Sequence, residues 1–128
     1  MPAGRSEWLK RLALLALCGA YLQGGLVKLL DFDGAVAEMA HFGLQPAALF
    51  AVAVIVLELG ASALVLSGRG RRWAALALAV FTVAASFMAN AFWTVDGPDR
   101  GAQMNAFFEH LGLAGAWLLV ALWDERSA

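Results

Sequence analysis

The stretch AALFAVAVIVLELGASALVL, residues 47–66, decides the fold. At a rise of about 1.5 Å per residue, a helix of this length spans roughly the 30 Å hydrocarbon core of a bilayer. Its one charge is Glu58, near the middle. Working outward, three more apolar stretches of similar length occupy Trp8–Leu30, Trp73–Trp93 and Met104–Trp123. With 62% hydrophobic residues and a mean hydropathy of +0.72, a water-soluble core of this size is excluded. The 128 residues are expected to form a single transmembrane domain, all-α, an up-down-up-down four-helix bundle integral to the membrane.

Little chain is left for anything else. A soluble catalytic domain, a nucleotide-binding module and a nucleic-acid surface do not fit in the connections. Positive charge gathers at Arg5, Lys10 and Arg11, at Arg69, Arg71 and Arg72, and at Arg126. The other two connections carry Asp31, Asp33, Glu38, Asp96 and Asp99, with Arg100 the one arginine there. The positive-inside rule then places both termini in the cytoplasm and the two longer loops outside. Trp8, Trp73, Trp93, Trp117 and Trp123 lie mostly at span ends, where indoles favour the headgroup level. A single cysteine, Cys18, excludes an internal disulfide and a Cys-x-x-Cys redox pair. The first apolar run outlasts a signal peptide and is expected to be a signal anchor.

Small residues suggest where helices approach. Ala16, Ala20, Gly24 and Lys28 recur every four residues and share one face of the first span, while Gly112, Gly115 and Ala116 form a second close-packing surface on the fourth. Gly34–Phe42 reads as a short interfacial helix on the outer surface, ended by Gly43. Pro46 is expected in the first turn of span two. Residues 67–72, SGRGRR, form a tight basic turn suited to anionic headgroups. Span three carries Thr82, Ser86 and Asn90 as a polar stripe.

The strongly polar groups of the spans, Lys28, Glu58, Asn90, Asn105, Glu109 and His110, all fall at the midplane or toward one side. This predicts a cup opening outward, with Glu58 at its floor. An ionised carboxylate at the bilayer centre costs at least a few kcal/mol, so Glu58 is expected to be protonated, paired or facing water. Lys28 is the nearest cation, and its stem reaches toward Glu58 or snorkels away from it. The bland alternative is that these residues are interhelical hydrogen-bond glue. Neither a metal site nor a haem is expected, because no His-x-x-x-His or cysteine pair exists and His41 lies in a loop.

Several segments together resemble the DoxX family of small four-span bacterial membrane proteins. Gly24-Gly25-Leu26-Val27-Lys28-Leu29 is similar to the family's glycine followed by Lys-Leu. His41-Phe42-Gly43-Leu44-Gln45-Pro46 resembles its loop, Glu58-Leu59-Gly60 its span-two glutamate, and residues 66–73 its Gly/Arg-rich turn. Ala91-Phe92-Trp93-Thr94 and Phe107-Phe108-Glu109-His110-Leu111 resemble the stretches ending in Phe-Trp and in Phe-x-Lys-Asn-Leu. Three positions depart from that pattern: Asn90 stands where a histidine is usual, Glu109 where a lysine is usual, and His110 where an asparagine is usual. The resemblance implies a bacterial inner-membrane protein associated with oxidoreductase and oxidative-stress complexes.

The expectation is therefore an inner-membrane subunit of a redox-associated complex, with Lys28, Glu58, Asn90, Glu109 and His110 as ligand-binding residues. Helix packing is expected at Ala20, Gly24, Gly112 and Ala116. No cofactor is bound by the chain alone, and a quinone or similar small amphiphile is the candidate ligand. The expected partners are the lipid bilayer and a membrane or periplasmic redox protein, with a homo-oligomer as a further option and no nucleic acid. Two alternatives stand beside this: a purely structural accessory subunit, and a small proton-coupled transporter with Glu58 as the coupling site.

Overall fold

The computed structural model describes residues 3–127, with side chains placed for residues 6–123. The side chains of Arg5 and Arg126, which enter the orientation argument, lie outside the described residues. The elements are α1 (Ala3–Leu30), α2 (Phe32–His41), α3 (Ala47–Ser67), α4 (Arg71–Ala89), a 3-10 turn (Phe92–Thr94) and α5 (Arg100–Ser127). Among the described residues there is no strand. Four helical segments are long and apolar enough to cross a membrane: Ser6–Leu30, Ala47–Ser67, Arg71–Thr94 and Arg100–Trp123. Val56, Leu49 and Val80 are 64%, 62% and 71% exposed, a surface that hydrocarbon solvates and water does not. This is an all-α, multi-pass membrane protein. The chain divides into two compact units, Met1–Ala74 and Ala75–Ala128.

In the first unit, α1 packs along α3. The buried positions of α1 are Leu14, Cys18, Tyr21 and Gly25, spaced three and four apart as one helix face requires. Those of α3 are Ala47, Ala51, Ile55, Glu58, Ala61, Ser62 and Val65. The Cys18 thiol lies 4.0 Å from the Ser62 carbonyl across the seam. The small-residue ridge expected at Ala16 and Ala20 is displaced, because both are exposed. Close approach occurs at Gly25, where a Cβ would lie 2.7 Å from Leu59 Cγ and Cδ2, and at Gly24, where it would lie 3.2 Å from Glu58 Oε2.

Helix α2 starts two residues earlier than the sequence suggests. The Asp31 carboxylate accepts from the Gly34 N–H at 3.1 Å, capping the helix while the negative charge faces its positive end. It ends as expected at Gly43, whose φ is +78°. The Gly43 N–H donates to Ala40 O and the Leu44 N–H to Met39 O, both at 3.0 Å, which is a Schellman motif. The helix is docked rather than merely interfacial: Ala35 and Met39 are buried with Ala47 and Ala51 of α3, and Phe32, Val36, Leu44 and Val54 pack around them. Pro46 falls one position before the first turn of α3, and its carbonyl accepts from the Phe50 N–H at 3.2 Å. At the other end of α3, Gly68 adopts φ +82° and donates to Leu64 O and Val65 O, while Arg71 Nε donates to Val65 O at 2.8 Å.

In the second unit, α4 stops short of the expected Trp93. Asn90 donates its backbone N–H to Ser86 O at 2.9 Å, and the chain then tightens into the 3-10 turn. Helix α5 begins a turn earlier than expected, with the Gln103 N–H bonded to Asp99 O at 3.0 Å. Ala116 is half-buried, while Gly112 is exposed and a Cβ there would meet nothing within 4 Å. Trp117, inside the span rather than at its end, is completely buried.

The seam between α1 and α3 makes a specific forecast. Gly25→Ala drives a methyl into Leu59 and is expected to cost about 1–3 kcal/mol, read as a lower thermal midpoint in detergent. Gly19→Ala, where a Cβ meets nothing within 4 Å, is expected to leave the midpoint unchanged or slightly higher.

Candidate functional site

Within the first unit, Lys28 and Glu58 come together. Lys28 Nζ donates to Glu58 Oε1 at 3.0 Å, with the side chains 21% and 8% exposed. Of its two options Lys28 reaches inward, because the absence of a Gly24 side chain leaves room for the ammonium one turn away on the same face. A Cβ on Gly24 would sit 3.5 Å from Lys28 Nζ and 3.7 Å from Glu58 Oε1. Glu58 is thereby paired, the second of the three outcomes open to a mid-span carboxylate. One turn along α3, Ser62 is fully buried, and its Oγ is the one buried side-chain polar atom without a hydrogen-bond partner among the described residues.

Within the second unit, Asn90 and His110 come together. Asn90 Nδ2 donates to Gln103 Oε1 at 2.9 Å, and Asn90 Oδ1 lies 3.1 Å from His110 Nδ1. Because Oδ1 only accepts, the contact requires the proton on Nδ1. In the neutral ring Nε2 then remains an acceptor, and in the imidazolium it becomes a second donor. Gln103, Phe107 and His110 are four and three residues apart on α5 and share a face. Gln103 lies one residue before Met104, where hydropathy starts the fourth span, so the sequence does not single it out. Its signal is the seven-residue spacing to His110.

An aromatic cluster is built on the same stretches of chain. Phe107 makes edge contacts with Phe87, Phe92, Trp93 and Phe108 at centroid distances of 5.3, 5.6, 5.5 and 5.6 Å. Phe87 also meets Trp93 at 5.6 Å, and the Arg100 guanidinium lies 5.9 Å from the centre of the Phe92 ring. Each such ring pair adds about 0.5–1.5 kcal/mol beyond area burial, so the cluster holds the 3-10 turn against α5. Glu109 is exposed and does not join the network. Thr82 and Ser86, the rest of the expected stripe, are occupied within their own helix: Thr82 Oγ1 donates to Leu78 O at 2.7 Å and Ser86 Oγ to Thr82 O at 2.9 Å. Among the described residues no group of three His, Cys, Asp or Glu is placed to hold a metal ion.

Two comparisons bear on these residues. A family model described as DoxX matches residues 11–91, a range that includes Lys28, Glu58 and Asn90 but stops before Gln103 and His110. The chain is 29% identical over 111 residues to the inner membrane protein YphA of Escherichia coli (strain K12), covering 87% of this chain and 79% of that protein. No solved structure matches.

The ion pair has a measurable signature. Lys28→Met strands a buried carboxylate and is expected to destabilise by about 1–2 kcal/mol, the upper range for polar contacts between membrane helices. Glu58→Gln is expected to cost less, because the freed lysine, near the end of α1, can snorkel. The double substitution is expected to recover part of the Lys28→Met loss, giving a non-additive cycle in thermal unfolding. Additive losses would mean that the 3.0 Å contact carries no coupling.

Proposed function

The chain belongs to the DoxX family, and from that premise we propose that it is the inner-membrane subunit of a redox-associated complex that binds a quinone-like amphiphile. The observation that carries this reading is the Asn90–Gln103–His110 network on the same stretches of chain as the aromatic cluster of Phe87, Phe92, Trp93 and Phe107. A flat ligand with polar oxygens at its edge needs apolar faces and a small number of oriented donors and acceptors. Such a site inside a membrane is reached by a lipid-soluble molecule without crossing water.

The residues fit a quinone headgroup. The aromatic side chains offer ring faces and edges, and Nε2 of His110 accepts from a hydroxyl when neutral or donates to a carbonyl when protonated. The bound headgroup would supply two-electron redox chemistry. The chain itself orients His110 through Asn90, orients Asn90 through Gln103, and holds or releases a proton at Nε2. The metal or flavin centre exchanging electrons with it would belong to a partner protein. In this reading Lys28 and Glu58, engaged with each other at 3.0 Å, clamp α1 to α3 instead of touching the ligand. In the same reading both termini are cytoplasmic, which the basic stretches support through the positive-inside rule.

A structural role has its own support: a Cβ at Gly112 or Gly115 would meet nothing within 4 Å, leaving room for another helix to approach. Gly112→Leu is expected to leave the thermal midpoint of the isolated chain unchanged while abolishing co-purification with a membrane partner.

Titration of a short-chain ubiquinone into the chain in nanodiscs, followed by tryptophan quenching, tests the ligand reading. Saturable binding is expected. His110→Phe and Asn90→Leu are each expected to weaken it about tenfold, roughly 1.4 kcal/mol, and Glu58→Gln to leave it within about twofold. No saturable quenching in the unaltered chain, or full affinity in His110→Phe, would overturn the reading.

A further inference from the structure

Helix α5 has two sides of opposite character. His110, Ala114, Trp117 and Ala121 recur at spacings of four, three and four, and the last three are buried. Asn105, Glu109, Gly112, Ala116 and Leu119 recur at spacings of four, three, four and three, turned about half a revolution from that side at ~100° per residue. Ala116 is half-buried and the other four are exposed.

Two of the exposed side chains are ill suited to lipid. The apolar helix that is long enough to cross the bilayer runs from Arg100 to Trp123. Asn105 and Glu109 lie about 7 and 13 Å along it at a rise of ~1.5 Å per residue. Among the described residues neither side chain has a hydrogen bond or an ion pair. A lysine or arginine at that depth would carry its charge to the headgroups on a long stem, and a glutamate, with two methylenes, falls short. Hydrocarbon offers an amide or a carboxyl no partner. The face therefore calls for a protein neighbour with polar groups at the same depth.

We propose that this face joins two copies of the chain in the membrane, as a parallel α5–α5 pair held by Asn105 and Glu109 and packed at Gly112. It rests on the structural role already given to Gly112, naming the partner as a second copy, and is independent of ligand binding. Two copies insert with the same orientation, so each residue of α5 finds its counterpart at its own depth. Alternating spacings of four and three make the seam along which two parallel helices wind together. Gly112, where a Cβ would meet nothing within 4 Å, lets the two backbones come close. The polar layer is self-complementary: the Asn105 amide of one copy donates to the Glu109 carboxyl of the other, and the two-fold axis returns the bond. A lone cation on an unrelated helix would answer Glu109 but not the amide one turn away.

Energy transfer between donor- and acceptor-tagged full-length copies in liposomes, followed as lipid is added, reads the pairing. Transfer above the random level is expected for the unaltered chain. Asn105→Leu and Glu109→Leu are each expected to weaken association about tenfold, and Gly112→Leu to abolish it. Val56→Ala, on an exposed position of α3, is expected to change nothing. Oxidation in the same liposomes locates the contact. Gly112→Cys is expected to give a disulfide-linked dimer, whereas Leu118→Cys, exposed on another side of α5, is not, and the native Cys18 is buried. Random transfer in the unaltered chain, tighter association in Glu109→Leu, or equal cross-linking in the two cysteine variants would overturn the proposal. A monomeric chain from which Gly112→Leu still releases a different membrane protein would overturn it too, while leaving the structural role of Gly112 in place.

Discussion

A carboxylate halfway along an apolar span has to be answered by a cation, by a proton or by water, and here Lys28 answers Glu58 at 3.0 Å. Much of the first unit follows from meeting that demand. The lysine is near the end of α1 and the glutamate near the middle of α3, so their side chains meet only if the helices lie close together. Gly24 and Gly25 allow this, because a Cβ on either would press into Glu58 or Leu59. The seam continues through Cys18 and Ser62. Helix α2, capped by Asp31 and closed by Gly43, folds back to bury Ala35 and Met39 beside Ala47 and Ala51.

The second unit is organised by hydrogen bonding among Asn90, Gln103 and His110. Asn90 ends α4, and its side chain reaches Gln103 and His110 on α5. Asn90 and His110 are two of the three positions that depart from the pattern the resemblance suggests, and they are the two in contact. The third departure, Glu109, is exposed and outside the network. A polar network in a membrane interior holds its members in place because hydrocarbon offers them no other partners. The rings around Phe107 form an apolar cluster on the same elements, with the 3-10 turn bringing Phe92 and Trp93 to α5.

The polar residues inside the spans are legible by type without knowledge of their partners. Glu58, Lys28, Asn90 and His110 each conflict with an apolar span. Gln103 was missed for a local reason: Asp96-Gly97-Pro98-Asp99 reads as a break of uncertain length, and α5 takes up one more turn than hydropathy suggests. Ala20 was over-read for the opposite reason. Spacing of four from Gly24 puts it on the correct side of α1, but the helical period of 3.6 carries the seam through Tyr21 and Cys18 instead.

By itself the sequence determined that there are four spans, where their ends lie to within about a turn, that Gly43 closes a short helix, and which polar groups the membrane interior must accommodate. These properties are local sums of side-chain transfer free energies and turn preferences, and each can be evaluated along the chain without knowing what lies beside it. The tertiary structure alone decided that Lys28 turns inward, that Gly25 and not Ala20 lies in the seam, that Thr82 and Ser86 are occupied within their own helix, and that Asn90 selects Gln103 and His110. Those outcomes depend on the rotation and separation of paired helices. Both are set by the packing of whole faces, which no single stretch of sequence contains.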